Sequence, residues 1–459
     1  MRSSGRAATI LAPWRSRVAS TKACYVAAAV LLILALSTSP AVGWGGGPGT
    51  LLLGVSSIRH EAATATQRAI EDAQARLRRQ PDNVTVKKAL AAALLQLARE
   101  TADPSHYTAA DNVLATLGGA RSVDPEVLLL EGTLLLARHL FTEALAVGNL
   151  ALRALPSNPS VQGILADAYN ELGRYDEALA ATQRMADIRP DRAALARVSY
   201  SRELRGNVPG AIEAMQQAVI AGQPSGENAA YVQTLLGNLL LSHGRVDDAT
   251  LSYAAALRAF PGFAPARTGQ AALLVARGRP AEAAAIMDQV VTVQPVLQYV
   301  IAEGAYYTAA GMTKQAADAY QLVDAIVALY RANGVDVDLD IAVYQADRNP
   351  TAALLATTRR AAARRPGVAG HDALAWVLHR LGKNREAQTE IQKAIAIGDR
   401  DPLYRYHAAV IAAANADYRT ATTQLELVLN SNPRATGIPP GDLATLASKL
   451  KLTIPPPPR

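Results

Sequence analysis

The residues of this sequence whose types could do chemistry are seven histidines, one cysteine and several arginine pairs. A zinc site needs three or four ligands brought together, and a motif such as H-E-x-x-H supplies two of them from one helical face. His371 and His379 lie near one face of a predicted helix, and Asp372 is adjacent to the first. No third ligand accompanies them, so we expect both histidines at the surface. The sequence predicts no metal ion and no other cofactor.

Cys24 and a glycine-rich stretch are two further features with chemical potential. A single cysteine excludes a disulfide framework and a cysteine-ligated metal cluster. Residues 43–49 are rich in glycine, but the Gly-Lys-Ser/Thr of a phosphate-binding loop does not follow them. The sequence contains no G-x-S-x-G nucleophile elbow and no G-x-G-x-x-G on a strand–helix turn. We therefore expect a protein that is not an enzyme.

The formal net charge of +7 raises the question of nucleic-acid binding. Residues 1–43 hold five basic residues and no acidic one, which leaves a charge of +2 for the rest of the chain. No basic stripe with interleaved aromatic residues remains there, so we expect no nucleic-acid partner. Arg359, Arg360, Arg364 and Arg365 form one basic cluster late in a helix, where cations interact favourably with the helix dipole. We interpret this cluster as a solvated face.

The elements that position these residues follow a repeat. A segment such as Gly173-Arg174-Tyr175-Asp176-Glu177-Ala178 recurs about every 34 residues, and a proline follows it. The alanine that anchors each copy stands at Ala69, Ala110, Ala144, Ala178, Ala211, Ala249, Ala283, Ala316, Ala353, Ala387 and Ala421. A period of this size indicates stacked helix pairs, none of which can bury its apolar face alone. The alanine is expected to be small because the two helices of a pair approach closely there.

This pattern resembles the tetratricopeptide repeat. The residues that carry the resemblance are a Leu-Gly pair, glycines at the same offset and an aromatic residue in the second helix, at Leu236-Gly237, Gly132, Gly304, Tyr253 and Tyr320. Several units replace the aromatic residues of the motif with aliphatic ones. The resemblance covers residues 60–434 with about ten divergent repeats. It implies an all-α fold, an α-solenoid of antiparallel helix pairs wound into a right-handed superhelix.

The two ends of the chain depart from the repeat. Residues 1–43 join a basic stretch, an apolar run and an exit of small residues, which are the parts of a signal peptide or, if uncleaved, of a signal anchor. A transit peptide and a buried helix are the alternatives. Residues 44–59 are interpreted as a glycine-rich tether. Residues 435–459 are expected to form a capping helix and a proline-rich tail, which is either a polyproline II ligand or a disordered end.

In tetratricopeptide arrays the first helix of each unit lines a concave groove, so the resemblance implies a partner-binding groove here. The positions that it places in the groove are Asp167, Asn170, Tyr200, Tyr231, Asn238, Trp376, His379 and Tyr406. Aromatic and amide groups with little charge fit an extended peptide or a partner helix. The alternative is that the aromatic rings simply pack between neighbouring helices.

The sequence as a whole predicts a scaffold that mediates protein–protein interaction through its concave groove. The basic flank of residues 1–43 should stay in the cytoplasm, which places the repeats outside it, either exported to the periplasm or the exterior or held by a transmembrane helix. Envelope assembly, secretion or polymer export are the settings that we expect. The alternative function is that of a non-catalytic accessory subunit of an envelope enzyme or of a glycan-synthesis complex.

Overall fold

The computed structural model describes residues 55–458. The predicted signal segment, residues 1–43, and the predicted tether as far as residue 54 lie outside the described residues. Within them the chain forms 22 α-helices and no strand, so the predicted all-α fold is confirmed. No helix of the described part combines the length and the apolar character that a membrane span requires.

The helices form consecutive antiparallel pairs between one leading helix, α1 (Val55–Arg79), and one closing helix, α22 (Pro440–Lys449). The first helices of the pairs are α2 (Val84–Thr101), α4 (Pro125–Ala137), α6 (Pro159–Glu171), α8 (Arg192–Leu204), α10 (Glu227–Ser242), α12 (Ala264–Ala276), α14 (Leu297–Ala309), α16 (Ala342–Arg348), α18 (Val368–Arg380) and α20 (Pro402–Ala414). The second helices are α3 (Ser105–Ala115), α5 (Phe141–Ala154), α7 (Tyr175–Ile188), α9 (Val208–Ile220), α11 (Val246–Ala259), α13 (Pro280–Val293), α15 (Thr313–Ala332), α17 (Ala352–Arg364), α19 (Asn384–Ile395) and α21 (Tyr418–Leu429). A 3₁₀ turn (Gly119–Arg121) lies between α3 and α4. The predicted α-solenoid of antiparallel helix pairs is confirmed.

Local sequence explains where the helices of a pair begin and end. Before α6, the side chain of Asn158 accepts a hydrogen bond from the backbone N–H of Ser160 at 2.8 Å, and Pro159 occupies the first helical turn. An asparagine cap satisfies an N–H that lacks a helical partner, and proline has no N–H to satisfy there. The turn to α7 needs a left-handed residue, and Gly173 provides it with a φ of 68°.

The anchor alanine is the fourth residue of most second helices and packs on the first helix. Ala178 in α7 and Ala249 in α11 have no exposed surface. The predictions for Ala69 and Ala353 are wrong, because both side chains are exposed. In the long helix α1, Ile70 is buried instead.

The exposure of Ala353 has a local cause. Thr351 caps α17, since its hydroxyl accepts a hydrogen bond from the backbone N–H of Leu354 at 3.1 Å. The helix therefore begins at Ala352, and Leu355, which is buried, takes the anchor position. The larger leucine marks this pair as different from its neighbours.

The glycine and the aromatic residue of the motif fit together across three helices. Tyr253 of α11 is buried between Gly237 of α10 and Gly269 of α12. A Cβ atom at Gly237 would lie 2.6 Å from the Tyr253 ring, and one at Gly269 would meet the same ring. The two glycines thus provide the space that one tyrosine occupies, and each pair depends on the next for its packing.

The solenoid coils until its second turn touches its first. Turn glycines of the early pairs lie against linkers that are roughly five to six repeats further along the chain. A Cβ atom would lie 2.5 Å from the carbonyl oxygen of Pro366 if placed at Gly173, and 2.7 Å from that of Gly398 if placed at Gly206. We call this set of contacts the inter-turn seam; its contact pairs are His139 with Asp336, Gly173 with Pro366, Gly206 with Gly398, Gly244 with Ser431 and Gly278 with Pro457.

The C-terminal tail takes part in the seam. The guanidinium of Arg434 donates to the carbonyl oxygen of Pro455 at 2.8 Å. Pro457 then lies beside Gly278, in the turn between α12 and α13. Before the tail, α22 buries Leu443 against the last pair.

The apolar core is divided near α16. One cluster of buried side chains joins α1–α4 with α12–α15 and ends at Ile341. Another begins at Leu339 and continues to Ala447, with Leu204 as its buried member from the first turn. We call residues 342–452, which hold this second core, the C-terminal unit.

We predict that Ala178→Leu lowers the free energy of unfolding by about 1–3 kcal/mol, because added atoms overpack a filled helix crossing. Chemical denaturation followed by circular dichroism measures the change. Ala180→Leu is the matched control, since Ala180 lies on the same helix and is exposed. Equal denaturation curves for the two variants would contradict the close approach at Ala178.

Candidate functional site

The eight residues predicted to line a groove all lie on first helices. Asp167 and Asn170 lie on α6, Tyr200 on α8, Tyr231 and Asn238 on α10, Trp376 and His379 on α18, and Tyr406 on α20. We call the side of the first helices that carries them the first-helix face. The structure brings them together in two groups, one on α6–α10 and one on α18 and α20. Partner binding by these residues stays a prediction, and their surroundings determine how accessible each one is.

Asp167 forms a buried ion pair. Arg197 of α8 donates from Nε and Nη2 to its two carboxylate oxygens, at 2.9 and 2.6 Å, and is only 1% exposed. Burial raises the pKa of Asp167 to about 6, although the charge of Arg197 lowers it. A bidentate pair fixes both the distance and the orientation of its two partners. Asp167 therefore ties α6 to α8.

Tyr231 is half-buried on α10, near the contact between α10 and α2. Burial raises the pKa of its hydroxyl to about 12, while the charges of Arg99 and Arg197 lower it. Arg99 of α2 donates to Glu227 of α10 at 3.1 Å, and Gln96 donates to the same carboxylate oxygen at 3.1 Å. Because α2 and α10 belong to the first and fifth pairs, the face curves strongly enough to bring helices four pairs apart into contact.

Tyr200 packs against the C-terminal unit. It is half-buried and lies on the same apolar cluster as Tyr175 and Tyr404. Burial, together with the charges of Glu171 and Asp399, raises the pKa of its hydroxyl well above the ordinary value. Tyr200 therefore belongs to the inter-turn seam as well as to the first-helix face.

Trp376, His379 and Tyr406 form the second group. The ring centroid of Trp376 lies 5.2 Å from that of His379 and 6.3 Å from that of Tyr406. The indole N–H of Trp376 donates to Asp347 at 2.9 Å. Trp376 and Tyr406 are 5% and 1% exposed, whereas His379 is half-buried. The two larger rings thus pack between helices, and only His379 of this group offers accessible surface.

His407 is a member of this group that sequence reasoning missed. Its ring stacks on Trp376 with the centroids 4.0 Å apart, and its Nδ1 lies 2.9 Å from a carboxylate oxygen of Asp372. Both His407 and Asp372 are buried. The sequence carries no signal for this pair, because its members lie on different helices and meet only when α18 and α20 stack.

The two asparagines differ in their surroundings. Asn238 is exposed, and its Oδ1 accepts a hydrogen bond from the hydroxyl of Tyr253 at 2.7 Å. Asn170 is buried, and its Oδ1 has no hydrogen-bond partner among the described residues. Asn238 is therefore an amide that solvent or a partner can reach, while Asn170 is held within the packing.

The inter-turn seam contains an ionic network that sequence reasoning also missed. Arg365 donates to Glu171 of the first turn at 3.1 Å and to Asp340 at 3.2 Å. Asp340 also lies 3.2 Å from Nδ1 of His139. Arg365 is 3% exposed, so the prediction that it belongs to a solvated face is wrong. The helix ends at Arg364, and the turn after it carries Arg365 into the seam.

Backbone groups are bonded across the seam as well. The N–H of Asp336 donates to the carbonyl oxygen of Arg138 at 3.0 Å. The N–H of Val368 donates to the hydroxyl of Tyr175 at 2.7 Å. Val368 is the first residue of α18, where an N–H has no partner within its own helix. The first turn thus caps a helix of the second turn.

Residues 55–458 contain no group of three or more His, Cys, Asp or Glu side chains that could hold a metal ion. The ionic groups at the seam and between α6 and α8 are bonded to one another. Among the eight predicted groove residues, Asn238 is exposed and Tyr231 and His379 are half-buried.

Comparison with known proteins identifies the repeat. A family model described as tetratricopeptide repeat matches residues 129–193 and 234–296. No curated protein matches the chain. Among solved structures, a thermophilic TPR protein of Thermus thermophilus is 23% identical over 40% of this chain and 99% of its own, with a TM-score of 0.36. A tetratricopeptide repeat protein from Parabacteroides merdae is 18% identical over 59% and 99%, with a TM-score of 0.37. The human IFIT1 dimer with PPP-AAAA is 13% identical over 82% and 87%, with a TM-score of 0.44.

We predict that the protein loses thermal stability as the pH rises between about 5 and 9. Burial lowers the pKa of His139, but the charge of Asp340 outweighs it and raises the pKa overall. The stabilisation by the imidazolium is therefore lost as the pH rises through that raised value. Burial and the charge of Asp401 raise the pKa of Asp399, so its ionisation destabilises the fold in the same direction. Asp340 stays ionised, since burial opposes its charge but Arg365 and His139 hold its pKa well below the usual range.

Thermal melts followed by circular dichroism across this pH range test whether the melting temperature falls as the pH rises. Asp399→Asn, which resembles the protonated carboxyl, is expected to melt like the parent at about pH 5 and at a higher temperature at about pH 9. A parent whose melting temperature stays level or rises with pH would refute the prediction.

Proposed function

This chain is a tetratricopeptide repeat protein, and we propose that it works outside the cytoplasm as a scaffold that binds a protein partner through its first-helix face. The repeat family supports the scaffold role, since solenoids of this kind present extended surfaces to other proteins. The location rests on residues 1–43, whose basic flank, apolar run and small-residue exit favour export or membrane anchoring. Envelope assembly, secretion and polymer export are the settings that fit both features.

One observation carries the choice of surface. On the first helices, the side chain of Asn238 is exposed and those of Tyr231 and His379 are half-buried, and all three are neutral polar groups. Neutral polar groups can bond to a peptide without the desolvation cost of an unpaired charge. Such groups fit the main chain of an extended segment or the side of a partner helix.

The second helices provide the surface for comparison. Leu251 of α11 is 68% exposed, but single apolar residues on a surface are ordinary and indicate no binding site by themselves. Leu251 therefore serves as a position where capture of a partner is not expected.

We predict that a photo-cross-linking amino acid at Asn238 or at His379 captures a specific partner in the native organism, and that one at Leu251 does not. Mass spectrometry of the cross-linked products identifies the partner. A structural or export component favours the scaffold, and a catalytic envelope or glycan-synthesis protein favours the accessory-subunit alternative. Equal capture from all three positions would reject the first-helix face.

The location has a separate test. A reporter that is active only outside the cytoplasm, fused after Arg459, should be active in the full-length protein. Deletion of residues 1–43 is the control and should abolish its activity, because the basic flank and the apolar run direct translocation. If this reporter is inactive in the full-length protein, export is rejected.

We predict that Tyr231→Ala combined with His379→Ala weakens partner binding by about 2 kcal/mol or more if the two rings are interface hot spots. Binding of the cross-linked partner, once purified, measures the loss, and circular dichroism checks that helicity is kept. Leu251→Ala is the control. Trp376 and Tyr406 are left in place, because truncating a buried aromatic ring costs about 3–5 kcal/mol of stability.

A further inference from the structure

One end of the solenoid is formed by segments that connect one helix pair to the next, which we call linkers. In the inter-turn seam, linkers of the second turn of the solenoid lie against hairpin turns of the first, as Pro366 does against Gly173. Within residues 55–458, the linkers of the first turn have no earlier turn of the solenoid to lie against. We call residues 76–88 and 116–126, which hold the first two linkers, the leading edge.

Linkers carry apolar side chains in both turns of the solenoid. In the second turn, where the seam covers the linkers, Val337 and Val368 are buried. At the leading edge, Val123 is 97% exposed and Val84 is 44% exposed. The leading edge therefore presents to its surroundings the kind of side chain that the seam buries.

The carboxylates of the leading edge are paired with lysines. Lys88 of α2 donates to Asp124 at 2.9 Å and to Glu126 at 2.5 Å, both at the start of α4. Lys87 lies 4.0 Å from Asp82. These contacts hold the two segments of the leading edge side by side and neutralise its acidic groups.

The arginines of the leading edge are exposed and have no carboxylate partner among the described residues; they are Arg76, Arg78, Arg79 and Arg121. The seam shows what an arginine of a linker binds when a neighbour is present. Arg365 donates there to Glu171 at 3.1 Å and to Asp340 at 3.2 Å. An anionic group is thus the missing partner at the leading edge.

A second copy of the chain does not supply that group. The free hairpin turns at the opposite end of the solenoid belong to the seventh to tenth pairs, and Gly311 and Gly382 in two of them face open space. Glu171 is the last residue of its first helix; the residues at that position in these four pairs are Ala309, Arg348, Arg380 and Ala414. End-to-end stacking would therefore place arginines against arginines, which repel each other.

A bilayer that contains anionic lipids fits both kinds of group at the leading edge. Head-group phosphates accept hydrogen bonds from guanidinium groups, and the membrane interface takes up apolar side chains. Single-stranded nucleic acid is bound through aromatic stacking, and the leading edge contains no aromatic residue. A soluble polyanion would leave Val123 in water.

We propose that the leading edge docks the solenoid end-on onto a membrane surface that contains anionic lipids. The four arginines bind head-group phosphates, and Val123 enters the interface between them. The proposal goes beyond the proposed function, because the leading edge and the first-helix face are different surfaces. Docking at this end leaves Asn238 and His379 of the first-helix face free for a protein partner.

A polarity-sensitive dye at residue 123 tests the contact. The full-length protein with Cys24→Ser and Val123→Cys carries the dye and is mixed with vesicles of phosphatidylcholine, alone or with an equal part of phosphatidylglycerol. The emission should shift to the blue with the anionic vesicles only. About 1 M salt should reverse the shift, because it shortens the screening length to about 3 Å. The dye reports contact at the leading edge and not insertion of residues 1–43.

Removal of the four guanidinium groups tests their role. Arg76→Gln, Arg78→Gln, Arg79→Gln and Arg121→Gln together should raise the lipid concentration at half-maximal shift by about a hundredfold or more. The reason is that each basic residue near an anionic surface strengthens binding about fivefold. Circular dichroism should show unchanged melting, since these side chains are exposed and unpaired.

The matched control removes the same charge near the free hairpin turns at the opposite end, with Lys314, Lys383, Arg385 and Arg419 each replaced by Gln. It should leave the response of the dye nearly unchanged, because these residues lie beyond the screening length of the membrane. The proposal is overturned by the absence of a shift with anionic vesicles, by an equal shift with neutral ones, or by an equal shift in the arginine variant. An equal shift with soluble dextran sulfate would also overturn it. None of these outcomes depends on whether Asn238 or His379 captures a partner.

Discussion

A helix pair of this chain cannot remove its own apolar side from water, and the rest of the structure depends on that constraint. Each pair obtains the missing cover from the next one, as Tyr253 does when it lies between Gly237 and Gly269. The same need explains α22, which covers the last pair with Leu443. It also explains why the solenoid can close on itself, since the second turn offers the first turn a further partner.

The sequence was sufficient for the architecture within each helix pair. The period, the turn glycines and the anchor alanines predicted the helix pairs, because cap geometry and close approach impose those residue types locally. Ala353 shows the limit of that argument. A threonine cap two residues earlier moved the start of α17, and the period alone contained no information about it.

Contacts between the turns could not be predicted from the sequence. Whether Arg365 meets Glu171 depends on how far each pair rotates relative to the previous one, and small rotations accumulate over five to six repeats. The same reasoning applies to the candidate site. The positions on the first helices were predicted correctly, but the burial of Trp376 and Tyr406 follows from the stacking of α18 and α20.

The first-helix face is therefore partly an interior. Its ionic residues hold neighbouring first helices in place, as Arg197 of α8 does by donating two hydrogen bonds to the carboxylate of Asp167 on α6. A buried charge without its partner would be costly, so these pairs fix the curvature of the solenoid strongly. The residues proposed to bind a partner, Tyr231, Asn238 and His379, are neutral polar groups, and in that proposal the partner is selected by shape and hydrogen bonding more than by charge.

The arrangement of two turns also determines how the molecule responds to mechanical load. The helix pairs are connected in series, whereas the seam contacts of Arg365 and Val368 connect the third pair to later helices in parallel with five of the pairs. Tension between the third pair and α22 is therefore carried first by the short path through Arg365 and Val368. A few ionic and hydrogen bonds separate at lower force than apolar packing, so this part of the chain lengthens while its pairs, and the apolar cluster that joins α1–α4 to α12–α15, stay intact. A solenoid built in this way yields first at its polar seam contacts and keeps its helix pairs folded.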